Sequence, residues 1–295
     1  MRQKIEGTDK FSLSFDEGAH NCDAVATDAS DIKIKYRKPP IVERALVVHA
    51  EMSEEKFRLK ADEWQAILKQ EFPHVEPVTE WVLAVTEKDG MPVLDPTRQT
   101  MTVRHTFWQM AGKKKDHGIQ IWPDKIAFNL LGGIGNPRDF DELEQLRQKW
   151  LMRWASHFEI STSTGVTLEY VNLLSNETLP TFVKDAGLKI GDALRLFQVL
   201  PSSLHQLHPP FDFQINVEGE TEPPSSFRAH CITLEATQKV PTMQLRFTAS
   251  THKPERSVPI EKVANEAQIM HDLILRQFDA YFTPEAKKTF DPICP

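Results

Sequence analysis

Two arginines and a tryptophan are the residues whose types and spacing point most directly to recognition chemistry. The segment 102–108 alternates in polarity like a strand, which puts Arg104 and Trp108 on one face. Arg246 gives a later strand a similar polar face. Arginine and tryptophan supply forked hydrogen bonds, stacking and a large contact area. The pattern predicts a binding surface at these residues if that sheet face is open, and a merely solvated face otherwise.

A glycine-rich turn, with Gly133, Gly135 and Asn136, stands between a predicted strand and a predicted helix. Free backbone N–H groups and the helix dipole can hold an anion at such a place. No Lys-Ser or Lys-Thr pair follows, and the spacing fits neither phosphate-binding fingerprint. The turn is thus a candidate anion site, although its pattern is more typical of a plain turn in which Asn136 caps the helix.

Nothing in the sequence points to a metal site or a bound cofactor. The three cysteines lie far apart, without the short spacing of a zinc site. His205 and His208 have no carboxylate or cysteine close in sequence. His230 and Cys231 are adjacent on a strand and point to opposite faces, so they form no local nucleophile and base pair. We therefore predict no metal and no cofactor.

Composition and charge are those of an ordinary globular protein. Of 295 residues 40% are hydrophobic and 26% charged, and 35 basic against 42 acidic residues give a net charge of −7. This charge repels a phosphate backbone, so non-specific nucleic-acid binding is disfavoured. The sequence has neither a signal-peptide core nor a membrane-spanning apolar run, so we expect a cytoplasmic protein with no membrane partner.

The elements expected to position these residues come in two similar cycles. A strand at Ile41–His49, a helix at about 55–72, four strands and a helix at about 138–158 are followed by a similar order from Val166 to Tyr281. This order predicts an α+β fold. Two pseudo-duplicated units, each strand, helix, antiparallel strands and helix, would form one twisted sheet with the long helices on one face.

The domain division follows from the same pattern. Residues 1–36 are polar and lack a sustained period, so we expect a flexible N-terminal arm. Residues 37–160 would form the first α+β half and residues 161–295 the second. Neither half covers both edges of its sheet, so we expect the halves to pair edge to edge.

Four short segments carry a resemblance to a known family. They are Lys38–Glu43 (KPPIVE), Ile119–Asn129, Leu168–Asn172 and the closing helix at His271–Phe282. In order and spacing they resemble a sporadically distributed prokaryotic family of unknown function. The resemblance implies an accessory gene, of the defence or toxin–antitoxin kind, and no catalytic residues. The chain departs from the family at residues 131–137, where glycines replace an aromatic-rich turn.

The order of elements is also similar to the TATA-box-binding-protein-like folds, a likeness that carries no function. We interpret the chain as a non-enzymatic binding or adaptor module that recognises a protein or a small ligand on an open sheet face. An enzyme using Glu169, Asp212, His230 and Arg246 in a cleft between the halves is the alternative. Specific nucleic-acid binding on the sheet is a lesser one. The ligand and the oligomeric state are not determined by the sequence.

Overall fold

A large antiparallel sheet with helices on one side organises the chain. The computed structural model describes residues 35–293, with gaps at 83–84, 89–90, 95–99, 134–137, 176–177, 180–182, 185–186, 189–193, 196–211, 220–224 and 235–241. For residues 79–104 it describes only the backbone. The expected arm at 1–36 lies outside the described residues, except for Lys35 and Tyr36.

In the described part of the chain, nine strands form one sheet. They are β2 (Ile41–His49), β3 (His74–Val82), β6 (Thr100–Ala111), β7 (Lys114–Trp122), β8 (Lys125–Leu131), β10 (Gly165–Leu174), β13 (Asp212–Gly219), β14 (Ser225–Leu234) and β15 (Thr242–Ser250). Their order in the sheet is β13-β14-β15-β10-β2-β8-β7-β6-β3, and every neighbouring pair is antiparallel.

Short strands pair two by two outside this sheet. They are β1 (Lys35–Tyr36) with β17 (Pro292–Ile293), β4 (Val85–Lys88) with β5 (Met91–Leu94), β9 (Thr162–Ser163) with β16 (Val258–Pro259), and β11 (Val183–Lys184) with β12 (Gly187–Leu188). The β1–β17 pair ties the beginning of the described chain to its end.

The helices described in full are α1 (Glu54–Lys69), α2 (Phe140–Phe158), α3 (Val263–Tyr281), which follows a 3₁₀ turn at Ile260–Lys262, and α4 (Pro284–Thr289), all within the described residues. Ser53 caps α1, because its Oγ accepts the Lys56 N–H at 3.2 Å. Asp139 and Glu142 form a capping box at the start of α2. The sequence predicted a cap at Asn136 instead. That cap is wrong, because α2 begins at Phe140, three residues after Pro137.

Helices α2 and α3 pack side by side on one face of the sheet. Helix α2 lies on β2 and β8, and α3 lies on β10 and β15. The stacked rings of Phe140 and His271, with centroids 4.0 Å apart, join the two helices. Helix α1 packs on α2, where the indoles of Trp64 and Trp150 meet edge to face. The α+β class, with a large antiparallel sheet, is therefore confirmed.

The centre of the sheet is the pairing of β2 with β10, in which Leu46 lies opposite Leu168. Both leucines are fully buried beneath the helices. The sheet is therefore continuous across residue 160, and residues Ile34–Cys294 group as one compact unit. We call the opposite face of the sheet the polar face. Against it, no helix of the described part of the chain packs.

Candidate functional site

One row of directly opposed residues crosses the polar face from β6 to β13. In order it contains Trp108, Gly118, Asn129, Ala45, Glu169, Thr248, Arg228 and Asn216. The next row contains Leu131, Glu43, Val171, Arg246, His230 and Gln214. Since side chains alternate along each strand, residues of both rows point to the same face. The register thus gathers charged residues from β2, β10, β14 and β15.

We call Glu43, Glu169, Arg228, His230 and Arg246 the glutamate–arginine cluster. Nη1 of Arg246 lies 3.4 Å from Oε1 of Glu169. His230 lies directly opposite Arg246 on the neighbouring strand. Within the described residues, Nε of Arg246 is buried and has no hydrogen-bond acceptor. The cluster therefore brings together three of the four residues that the sequence offered for an enzyme: Glu169, His230 and Arg246. The side chain of the fourth, Asp212, lies outside the described part of the chain.

Neighbouring polar side chains hold the outer members of the cluster. The Thr248 hydroxyl donates to Oε2 of Glu169 at 3.4 Å. Nε of Arg228 donates to Oδ1 of Asn216 at 3.2 Å, and the Gln214 amide donates to the same oxygen at 3.0 Å. Arg228 is otherwise exposed to solvent. Its guanidinium is thus positioned at the outer side of the cluster but remains accessible.

Both carboxyl groups of the cluster favour their protonated forms more than ordinary glutamates do. Burial raises the pKa of Glu169, against the opposing effects of Arg246, Thr248 and Arg228. Burial also raises the pKa of Glu43, and the charge of Glu169 raises it further, while Arg246 lowers it. Two interacting carboxyls titrate as a pair. The pair can accept or donate hydrogen bonds, depending on its proton content.

Trp108 lies on the polar face but is not an open platform. Only 7% of it is exposed, and its ring packs against Gly118 of the neighbouring strand. Nζ of Lys115 sits 5.3 Å from the ring centroid and covers it further. The expectation of an exposed tryptophan is therefore corrected. The backbone of Arg104 pairs with Val78 of β3, and its side chain lies outside the described part of the chain.

The candidate anion turn is only partly described. Gly133 belongs to the described residues, whereas Gly135 and Asn136 lie outside them. The first turn of α2 already holds carboxylates of the chain itself: Oδ1 of Asp139 accepts the Phe140 N–H at 2.7 Å, and Glu142 reaches back to the Asp139 N–H. These carboxylates occupy the positive end of the helix dipole.

Sequence reasoning missed Glu43 and Arg228 as site residues. A signal for Glu43 exists, because it is a carboxylate, beside Arg44, in the largely apolar segment Ile41–His49, where a buried charge is costly. Within the described residues, no three His, Cys, Asp or Glu side chains group as a metal site. Among the described helices, none is long and apolar enough to cross a membrane.

Comparison of the chain with protein-family models, with curated proteins and with solved structures gave no match.

Proposed function

We propose that the chain is a binding module that recognises its ligand on the polar face, at the glutamate–arginine cluster. The proposal rests on the charged and hydrogen-bonding groups of this cluster whose needs the protein itself does not fully meet. Two carboxyls with raised pKa and a buried guanidinium nitrogen that has no acceptor among the described residues are costly to keep, and such groups concentrate at functional sites. A ligand that supplies an acceptor to Arg246 relieves part of this cost.

The chemistry of the cluster selects the class of ligand. Arg228 and Arg246 offer forked donors to a carboxylate or a carbonyl group, while Glu43 and Glu169 accept hydrogen bonds from N–H groups. A peptide-like ligand, with donors and acceptors in alternation, complements such a surface. The shallow position on a sheet favours a protein or peptide partner, since a small molecule is normally enclosed on several sides.

An enzyme is the second candidate, favoured by the same pair of raised pKa values. A carboxyl whose pKa is raised above its ordinary value is a better candidate for a general acid, and its partner for a general base. Arg246 would then stabilise a developing negative charge. Such chemistry needs a water-excluding wall over the cluster, which a bound partner would have to supply.

We also propose that the sheet arose from two related halves. The order β2-β8-β7-β6 on one side of the centre mirrors the order β10-β15-β14-β13 on the other, with α2 and α3 in equivalent places. This symmetry supports the pseudo-duplicated, TATA-box-binding-protein-like arrangement. Specific nucleic-acid binding on the polar face remains a lesser candidate, because the chain has a net charge of −7 and the cluster contains two carboxyls.

Membership in the sporadically distributed prokaryotic family is a proposal that rests on the four resembling segments. It favours a partner encoded by the same accessory gene group, of the defence or toxin–antitoxin kind. The products of genes adjacent to this one are accordingly the first partners to test.

The test compares binding by variants that keep the fold. Arg246→Ala and Glu169→Gln should weaken binding of a purified neighbouring-gene product at least about tenfold, because each removes a charged hydrogen-bond partner. Arg58→Ala, on the exposed surface of α1, is the control and should bind like the wild type. Isothermal calorimetry gives the affinities and circular dichroism checks folding. Equal affinities in all four proteins would refute recognition at the cluster.

A further inference from the structure

A groove lies at one end of the central strands, where β2, β9 and β15 run into their loops. Its volume is 530 Å³, within the range of about 300–1,000 Å³ that small-molecule sites occupy. The lining residues are His49, Ala50, Glu51, Met52, Ser53, Asp124, Thr164, His252 and Pro254. None belongs to the glutamate–arginine cluster, so the groove is a separate candidate site.

Two histidines from distant parts of the chain form one side of the groove. The rings of His49 and His252 stack with centroids 3.9 Å apart and an angle of 14° between their planes. Gly165 makes this approach possible, because its φ is 131° and a Cβ there would lie 2.6 Å from Cα of His252. The Thr164 hydroxyl lies 3.1 Å from Nδ1 of His252. The backbone conformation at Gly165 therefore allows the two rings to stack.

A hydrogen-bond chain fixes the tautomer of His49. The carbonyl of Val166 can only accept, so the Ser250 hydroxyl donates to it, at 3.2 Å. The Thr167 hydroxyl must then donate to Oγ of Ser250, at 2.8 Å, and accept from Nε2–H of His49, at 3.0 Å. In a neutral ring this leaves Nδ1 of His49 as a lone-pair acceptor.

The His49 ring is neutral at physiological pH. Burial lowers its pKa from 6.5 to about 4, and the nearby positive potential of His252 and Lys125 acts in the same direction against Asp124. A neutral imidazole that has already donated its one N–H can only accept a further hydrogen bond. Nδ1 of His49 can therefore accept a hydrogen bond from a donor group of a ligand.

The aspartate and glutamate side chains are the charged groups of the groove lining apart from its histidines. The lining includes the carboxylates Glu51 and Asp124, both exposed, and no lysine or arginine. Two lysines directly follow lining residues. Lys125 directs its ammonium over the ring of Trp122, 4.9 Å from the centroid, and Lys253, between His252 and Pro254, is exposed to solvent. Two carboxylates and a neutral imidazole acceptor complement a group that is both positively charged and rich in N–H donors.

We propose that this groove binds an organic cation, a primary ammonium or a guanidinium group, with Nδ1 of His49 accepting one N–H and Glu51 and Asp124 compensating the charge. The proposal does not depend on the function of the glutamate–arginine cluster. The cation can belong to a free small molecule or to a lysine or arginine side chain of a peptide, and the same chemistry recognises both.

Nuclear magnetic resonance of the histidine ring signals tests the proposal. Methylguanidinium and butylammonium should shift the Cε1–H signals of His49 and His252 in a saturable way, whereas butanol and butyrate should not. Saturable shifts with butyrate, or no shift with either cation, would overturn it. The affinities of agmatine and of a capped Ala-Arg-Ala peptide then distinguish the two sources of the cation. Tighter binding of agmatine indicates a free small molecule, and tighter binding of the peptide indicates an arginine side chain.

Charge-removing variants provide the second arm. Asp124→Asn and Glu51→Gln should each weaken cation binding by about tenfold, because each removes a charged acceptor at an exposed position where folding is little affected. Asp62→Asn and Glu63→Gln remove the same charges from the exposed surface of α1 and should leave affinity unchanged. An equal loss of cation affinity in the groove variants and in the α1 variants would mean that only the net charge of the protein matters, and would refute a specific site in the groove.

Substitutions of His49 separate its two nitrogens. Asparagine keeps an acceptor near the position of Nδ1, whereas glutamine keeps a donor toward Thr167 and loses that acceptor. His49→Gln should therefore bind the cation more weakly than His49→Asn, provided that both fold. Tighter binding by the glutamine variant would show that Nδ1 is not the acceptor.

Discussion

Glu43 illustrates how much a single carboxyl on the polar face costs the fold. Its charged form is disfavoured by burial and by the charge of Glu169 on the adjacent strand, and within the described residues no hydrogen bond to it is found. Natural proteins keep such a residue where binding or chemistry needs it, at the expense of stability.

We expect Glu43→Gln to stabilise the protein at neutral and alkaline pH. The folded-state pKa is raised, so the wild type loses stability as pH rises from the ordinary value toward and beyond the raised one. The variant has no such group, so its gain should be largest at pH 8 and should shrink as pH falls toward 4.5. Urea denaturation at a series of pH values measures this. Glu55→Gln, exposed on α1, is the control, and a gain independent of pH would contradict the explanation.

His49 should produce the opposite dependence. Its pKa is about 4 in the folded protein and 6.5 ordinarily, so the unfolded chain takes up the proton first. The contribution of neutral His49 to the free energy of unfolding is fully present above pH 6.5 and is lost as pH falls toward 4. His49→Gln should remove this loss while keeping a donor to Thr167. Denaturation at pH 7, 5.5 and 4.5 tests the difference, and His74→Gln, an exposed residue, should change nothing.

At the scale of elements, the pairing of β6 with β7 depends on a glycine beneath an indole. A Cβ at Gly118 would lie 2.5 Å from Cζ3 of Trp108, so the ring must move. We expect Gly118→Ala to destabilise the protein by about 1–3 kcal/mol, the usual cost of overpacking. Gly133→Ala, where nothing lies within 4 Å, is the matched control. Denaturation followed by circular dichroism compares them, and equal costs would show that the indole is not the cause.

Trp108 also shows where sequence reasoning stops. Alternation along residues 102–108 predicts the correct face for its side chain, because period-two patterning is local. Its burial depends on Gly118 lying directly opposite, and strand register is a property of two segments. Leu143, Leu146 and Trp150 recur at helical spacing on one side of α2. Their burial was predictable because this spacing is also a local pattern, and all three are buried.

The candidate sites are nonlocal in the same sense. Glu43 and Glu169 come together only because β2 pairs with β10, and His49 meets His252 only because β15 ends beside β10. The spacing of these residues in the sequence does not indicate that they lie close together in space. The start of α2 was predicted wrongly for another reason. Asn136 and Asp139 are both good capping residues, and residue type alone does not choose between them.

At the scale of the whole molecule, the β2–β10 pairing should make the sheet one cooperative unit. Leu168 is fully buried at this centre, so Leu168→Ala should cost about 2–5 kcal/mol. We expect hydrogen exchange to accelerate in β8 as much as in β15, although the substitution lies in β10. Acceleration confined to β10 and β15 would mean that the two sides of the sheet open separately. Leu59→Ala, on the exposed face of α1, is the control.

The central place of β2 also has a consequence for synthesis on the ribosome. Among the described strands β2 is the first long one to emerge, yet one of its two neighbours, β10, is made only after α2 is complete. A nascent chain that ends before residue 165 therefore presents a bare strand edge, a template for wrong pairing. Stalled chains ending before and after β10 should differ sharply in chaperone crosslinking and protease resistance, with the longer chain protected. The newborn protein is most vulnerable midway through its own translation.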